Sequence, residues 1–141
     1  MRYIPKYIEN LETLRSYIFH GEHEEQDFKL SISNKIKIAK TIVAFANTSG
    51  GRILIGVDDK GQFHPIDIEE EMYMVDTASK EYCKPAIELK FIVHHEEDLE
   101  ILEVIVPKSE KIIYVVVNEK GVEKIYKRVK DQVVQIKKDS H

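Results

Sequence analysis

The tightest constraint on this chain is the break at Asn47-Thr48-Ser49-Gly50-Gly51. Before it, apolar residues at positions 32, 36, 39, 43 and 46, and again at 38, 42 and 45, recur at helical spacing. After it, Arg52–Val57 is a short, nearly continuous apolar run, the pattern of a strand covered on both faces. A helix with so broad an apolar side, turned at once into a doubly covered strand, has to lie back across a sheet. The helix is expected over 31–49, with Ser31, Ser33 or Asn34 accepting a bond from a free backbone N–H at its start. Lys37, Lys40, Thr41 and Asn47 fall on its opposite face.

The flanking segments extend the pattern. Ile8, Leu11, Leu14, Tyr17 and Ile18 predict a helix over Pro5–Phe19, stopped at His20-Gly21. Gln26–Ser31 alternates, with Asp27 and Lys29 to one side and Phe28 and Leu30 to the other, as in a half-buried strand. Asp58-Asp59-Lys60-Gly61 is a turn, and Gln62–Ile66 is expected to pair back as a hairpin. An acidic helix follows over Ile68–Cys83, with Met72, Val75 and Ala78-Ser79 on its apolar side. Strands are expected at Ile87–His94, Glu100–Val106, Lys111–Asn118, Lys124–Val129 and Val133–Ile136. The fold class is therefore α+β: a mixed, mostly antiparallel sheet with about three helices packed on it. A length of 141 residues is expected to hold one domain, 1–141, with a frayed polar tail at 137–141 and no attached helix-turn-helix.

Charge matters only once it is divided. The net charge of −4 argues against a generic basic nucleic-acid binder. Residues 1–65 carry 9 basic and 8 acidic side chains, residues 66–105 carry 3 and 12, and residues 106–141 carry 9 and 5. The acid is one block of the chain, so a basic face elsewhere is compatible with the total. The one cysteine, Cys83, excludes an intramolecular disulfide and a Cys-rich zinc site. The apolar runs are too short to span a bilayer, and Met1–Asn10 lacks the apolar core of a signal peptide, so a cytoplasmic location is the expectation.

Candidate chemistry is sparse. Gly51-x4-Gly56 has Walker spacing, but Val57-Asp58 follows where Lys-Ser/Thr is needed, and the glycines precede a strand. Asp27 and Lys29 share a strand face, an arrangement in which a carboxylate can hold a divalent ion and a lysine can meet a phosphate. A surface ion pair is the simpler account. His20-x2-His23 and His94-His95 offer no third ligand at metal spacing, and adjacent residues on a strand point to opposite faces. Lys35, Lys37 and Lys40 project from one helix, and Lys124, Lys127, Arg128 and Lys130 cluster with Tyr126. Lysines on a helix face and a sheet edge can neutralise phosphates without reading sequence.

Several of these segments together resemble a known family. Glu22-x4-Asp27-Phe28-Lys29, then the helix ending I-A-K-T-I-V-A-F-A-N-T-S-G-G at Ile38–Gly51, then R-I-L-I-G-V-D-D-K-G at Arg52–Gly61, are similar to the Schlafen AlbA-type DNA-binding domain. V-I-V-P-K-S at Val104–Ser109 and I-Y-K-R-V at Ile125–Val129 resemble its later strands, so the likeness spans about residues 10–136 with its core at 22–61. The resemblance implies a mixed α/β sheet domain that binds nucleic acid, DNA before RNA. In bacteria it implies a transcriptional regulator. It also implies an alternative, a metal-dependent ribonuclease, whose catalytic set would be Glu22, Asp27, Lys29 and Asp59 here. Glu22, Asp27 and Asp59 would then be the metal ligands. Asp27 stands where the family's nuclease pattern has Glu, one methylene longer. Phe63-His64-Pro65 and Lys130-Asp131-Gln132 also depart from the family pattern.

The function expected is contact with the phosphate backbone through Lys37, Lys40, Lys127, Arg128 and Lys130. No cofactor is expected, and Mg²⁺ or Mn²⁺ enters only with the nuclease reading. A protein-interaction domain, or one that associates with itself through its acidic block or a sheet edge, is the third alternative. A homo-oligomer is compatible with the sequence, and no membrane partner is expected.

Overall fold

The computed structural model describes residues 4–110 and 114–137. The elements in chain order are β1 (Lys6–Glu9), α1 (Glu12–Phe19), β2 (Gln26–Lys29), α2 (Lys35–Ala46), β3 (Gly51–Ile55), α3 (Ile68–Tyr82), β4 (Cys83–Lys84), β5 (Lys90–Glu96), β6 (Leu99–Val106), β7 (Val115–Val117), β8 (Glu123–Val129) and β9 (Gln132–Ile136). The α+β class expected from the sequence is the class observed. The strands divide between two sheets. One has the order β1-β5-β6-β3-β2, with β1 parallel to β5, β2 parallel to β3 and the remaining pairs antiparallel. The other, β4-β7-β8-β9, is antiparallel throughout.

Helix α2 packs against both sheets and α3. Eight of its twelve residues are buried, and the seven apolar ones among them join Ile53 and Ile55 of β3, Val75 of α3, and Val116 and Tyr126 of the smaller sheet in one core. Each such aliphatic side chain contributes roughly 1.5–3 kcal/mol by leaving water. The polar face expected for α2 is consequently narrower than its sequence implies. Thr41 is only 3% exposed, because the smaller sheet covers it. The side chain of Asn34 caps the helix by accepting from Lys37 N at 2.9 Å.

On the other face of the large sheet, α1 covers Phe28, Leu54, Val57 and Ile101 with Leu11 and Leu14. The helix expected over 5–19 is half strand. Lys6–Glu9 pairs with β5 and α1 starts only at Glu12. Asn10, at φ 63°, turns the chain between them, and its side chain accepts from Glu12 N. The hairpin expected at Gln62–Ile66 reduces to a single bridge, Val57 to Phe63. Leu30, placed by alternation on an apolar face, is 51% exposed because β2 ends at Lys29. Of the strand expected at 111–118, residues 111–113 lie outside the described residues, as do 138–141 of the expected tail.

The Asn47–Gly51 break works through contacts rather than flexibility. Asn47 Nδ2 donates to Tyr114 O and Tyr126 O, and its Oδ1 accepts from Tyr114 N. Thr48 Oγ1 donates to Ala44 O and accepts from Arg128 N. Both residues therefore tie the end of α2 to the smaller sheet. Gly50 has φ 72°, and a Cβ there would lie 2.9 Å from Lys108 N and Val106 O. A Cβ on Gly51 would lie 2.6 Å from the Phe45 ring and 2.7 Å from Glu25 O. Gly51→Ala is expected to lower stability by about 1–3 kcal/mol through overpacking. Urea unfolding followed by circular dichroism measures it, and an unchanged midpoint contradicts it.

Candidate nucleic-acid interface

Strand β2 is an edge of the large sheet, and alternate backbone groups bond inward to β3. The outward groups are met by side chains. Phe28 N donates to Glu22 Oε2 at 3.1 Å. Arg128 Nη2, arriving from β8, donates to Gln26 O and His23 O, each at 3.1 Å. Arg128 also stands 3.3 Å from Asp27 Oδ1, and its guanidinium lies 4.6 Å from the centre of the Phe45 ring. Lys29 Nζ sits 3.0 Å from Asp27 Oδ2. Asp27 and Arg128 are only 4% and 2% exposed, and the Arg128 Nε is buried without a hydrogen-bond partner. A buried carboxylate is tolerable here because two cations face it.

Above this buried pair opens a cleft of about 740 Å³. Its walls are the first turns of α2 and the inward face of β8–β9, with Asp27 and Lys29 of β2 beside them. Lys29, Lys37, Lys40 and Lys124 line it, with Asp131 as the other acidic wall residue. Smaller hollows continue it at both ends. One shares Lys29, Asn34 and Lys37, and the other shares Lys40, Lys124 and Tyr126. Among the described residues, Lys37, Lys40 and Lys124 form no ion pair with a carboxylate, and Lys40 Nζ rests 5.5 Å from the Tyr126 ring centre.

The expected phosphate contacts separate accordingly. Lys37 and Lys40 share the cleft. Lys127 and Lys130 do not line it, because alternation along β8 turns Lys127 to the opposite side from Tyr126 and Arg128. Arg128 also lines the cleft, but it is 2% exposed and its guanidinium meets Asp27, Gln26 O and His23 O, so it lies in the cleft floor. Lys124 belongs to the cleft. Its spacing of two and four from Tyr126 and Arg128 is the signal that places it there.

The expected carboxylate set comes together only in part. Glu22 and Asp27 are neighbours. Burial first, then the hydrogen bond and charge of Asp27, push the Glu22 carboxyl above its usual range, against the pull of Phe28 N–H and Lys29. Asp59 is exposed on the turn after β3. Among the described residues, no group of three or more His, Cys, Asp or Glu side chains could hold a metal ion. The histidines follow the structural expectation at His94, which is fully buried with Nε2 2.7 Å from Glu103 Oε1. Glu103 in turn meets Arg52 at 3.3 Å.

A two-sheet α+β domain, with a lysine-lined cleft between an edge strand and a helix, is the class these features define. The chain belongs to the Schlafen, AlbA_2 family, whose model matches residues 22–137. The fold is similar to the N-terminal domain of a protein from Nitrosomonas europaea described as related to the ATP-dependent DNA helicase RecG. That likeness has a TM-score of 0.54 and 17% identity, over 95% of this chain and 99% of that one. It is also similar to the DIP2311 protein from Corynebacterium diphtheriae, with a TM-score of 0.52 and 18% identity over 80% of this chain. The chain covers 25% of the length of DIP2311. No curated protein matches the sequence. No helix among the described residues is long and apolar enough to cross a membrane.

Two outcomes follow from the buried network. Arg128→Met leaves the buried Asp27 carboxylate short of a partner and removes the second donor from Gln26 O and His23 O, so a loss of about 3–5 kcal/mol is expected. Denaturant unfolding that shows less than a third of this loss contradicts the pairing. Glu22→Gln tests the raised carboxyl. The folded state holds the Glu22 proton more tightly than the unfolded chain does. Its contribution to stability is therefore present at low pH and declines as pH rises above the ordinary glutamate value of 4.5. The Gln variant keeps an acceptor for Phe28 N–H and removes that decline. Its melting temperature, relative to the natural chain, is expected to be higher at pH 7 than at pH 4. A difference that does not change with pH contradicts the assignment.

Proposed function

We propose that this domain binds nucleic acid through the cleft between α2 and the β8–β9 hairpin. The observation that carries the proposal is the convergence of Lys37, Lys40 and Lys124 on one concave surface while the chain as a whole is acidic. Three cations with no carboxylate partner among the described residues, above a floor where Asp27 is paired with Lys29 and Arg128, present a field that attracts phosphates. Lysines act as point charges, so they position a backbone without reading bases. The acidic block falls on α3, β5 and β6, which do not line the cleft.

Family membership supports the same reading. So does the helicase-related name of the Nitrosomonas neighbour, which adds a nucleic-acid context without specifying one. DNA rather than RNA, and a role in transcriptional regulation, rest on the family likeness alone.

The test is fluorescence anisotropy with labelled DNA and RNA at 25 mM and 200 mM salt. Binding is expected at the lower concentration and is expected to weaken at the higher one. Lys37→Gln/Lys40→Gln is expected to cost at least tenfold in affinity at low salt, with an unchanged melting temperature. Absence of binding to every probe at low salt, or affinity indifferent to salt, sinks the proposal.

A further inference from the structure

We infer that the cleft takes a single strand, not a duplex; this rests on the nucleic-acid reading above. The ground is where the charges lie. Lys37 and Lys40 are three residues apart on α2, so they stand on neighbouring turns of one helix side. Lys124 faces them from β8, whose register with β9 turns Tyr126, Arg128, Val133 and Gln135 to the same side. The cations therefore look at each other across a gap. They are not spread over a convex face.

Size decides what can reach all three. The cleft holds about 740 Å³ between two facing walls, whereas a duplex carries its two backbones on the outside of a rod broader than its ~12 Å major groove. A duplex can rest on the rim and touch one wall, but it cannot enter between α2 and β8. A single backbone can. The shared residues of the flanking hollows make one path, from Lys29 and Asn34 past Lys37 and Lys40 to Lys124 and Asn118. An open-ended path suits a chain that continues at both ends.

The same walls say how the strand is held. Tyr126 is the aromatic side chain of the cleft among the described residues. It is 6% exposed with Lys40 over its ring, so no aromatic face is free for a base to stack on. Binding is then electrostatic and indifferent to sequence. With three phosphates neutralised on a single strand, the slope of log K against log salt is about −2, from ~0.7 per contact.

The experiment compares 12-nucleotide single strands with the duplex they form, and the matching RNA strand, by anisotropy across a salt series. Single strands of DNA and RNA are expected to bind at least tenfold more tightly than the duplex, with a slope near −2 at all base compositions tried. Lys124→Gln, on the wall opposite α2, is expected to reduce the slope by ~0.7 and to weaken single-strand binding. Lys127→Gln, on the other side of the same strand, is expected to leave both unchanged, which serves as the control for a general charge effect. Duplex binding equal to or tighter than single-strand binding, lost with Lys37→Gln/Lys40→Gln, overturns the single-strand inference and leaves the nucleic-acid reading standing. A Lys124→Gln variant that binds single strands as tightly as the natural chain also overturns it. Failure of every strand and duplex to bind overturns both.

Discussion

The Arg128 guanidinium is the contact on which the rest of this structure depends. It leaves β8 of the smaller sheet, crosses the end of α2 over Phe45, and ends on carbonyls and a carboxylate at β2 of the larger sheet. An arginine this buried is costly unless its charge and its donors are answered. Asp27 answers the charge, and Gln26 O and His23 O answer Nη2. These two carbonyls also accept from each other's backbone, His23 N to Gln26 O and Gln26 N to His23 O, so Arg128 docks on a bridge already formed beside the edge strand. One side chain thus reaches an edge strand, neutralises a buried acid and ties the two sheets together.

That tie underlies the cleft. Asn47 and Thr48 reinforce it from the end of α2, binding Tyr114, Tyr126 and the Arg128 backbone. The glycines that follow let β3 start immediately beneath Phe45. The Asn-Thr-Ser-Gly-Gly break is therefore a joint between helix and both sheets. Its residue types are set by hydrogen bonds and close approach. Lys37, Lys40 and Lys124 are held on this frame, and Asp27, one of the two carboxylates lining the cleft, is paired with Lys29 and Arg128.

The Glu22, Asp27, Lys29 group shows how one pattern of residues can serve two ends. Read along the chain, an acid, a second acid and a lysine have the look of a metal and phosphate site. In the fold, Glu22 caps Phe28 N–H, and Asp27 is paired with two cations, Lys29 and Arg128. The raised Glu22 carboxyl follows from its burial beside Asp27.

By itself the sequence determined the local elements that carry their own period or punctuation. These are α2, the continuous strand β3, the acidic helix α3 and the late strands; which of Ser31, Ser33 and Asn34 caps α2 was decided by the fold. It also determined the family, because the Asn47–Gly61 segment is specific at the level of residue types. It misjudged Pro5–Phe19, where apolar spacing of three and four is equally served by a short strand, a turn at Asn10 and a short helix. What only the tertiary structure decided was pairing at a distance. Arg128 and Asp27 are separated by 101 residues, and Lys124 is brought opposite Lys37 by a sheet that no local pattern announces. A lysine or arginine in a charged run looks the same whether it faces solvent or a buried carboxylate. Burial, which no single residue encodes, made Arg128 a brace and left the lysines as the binding surface.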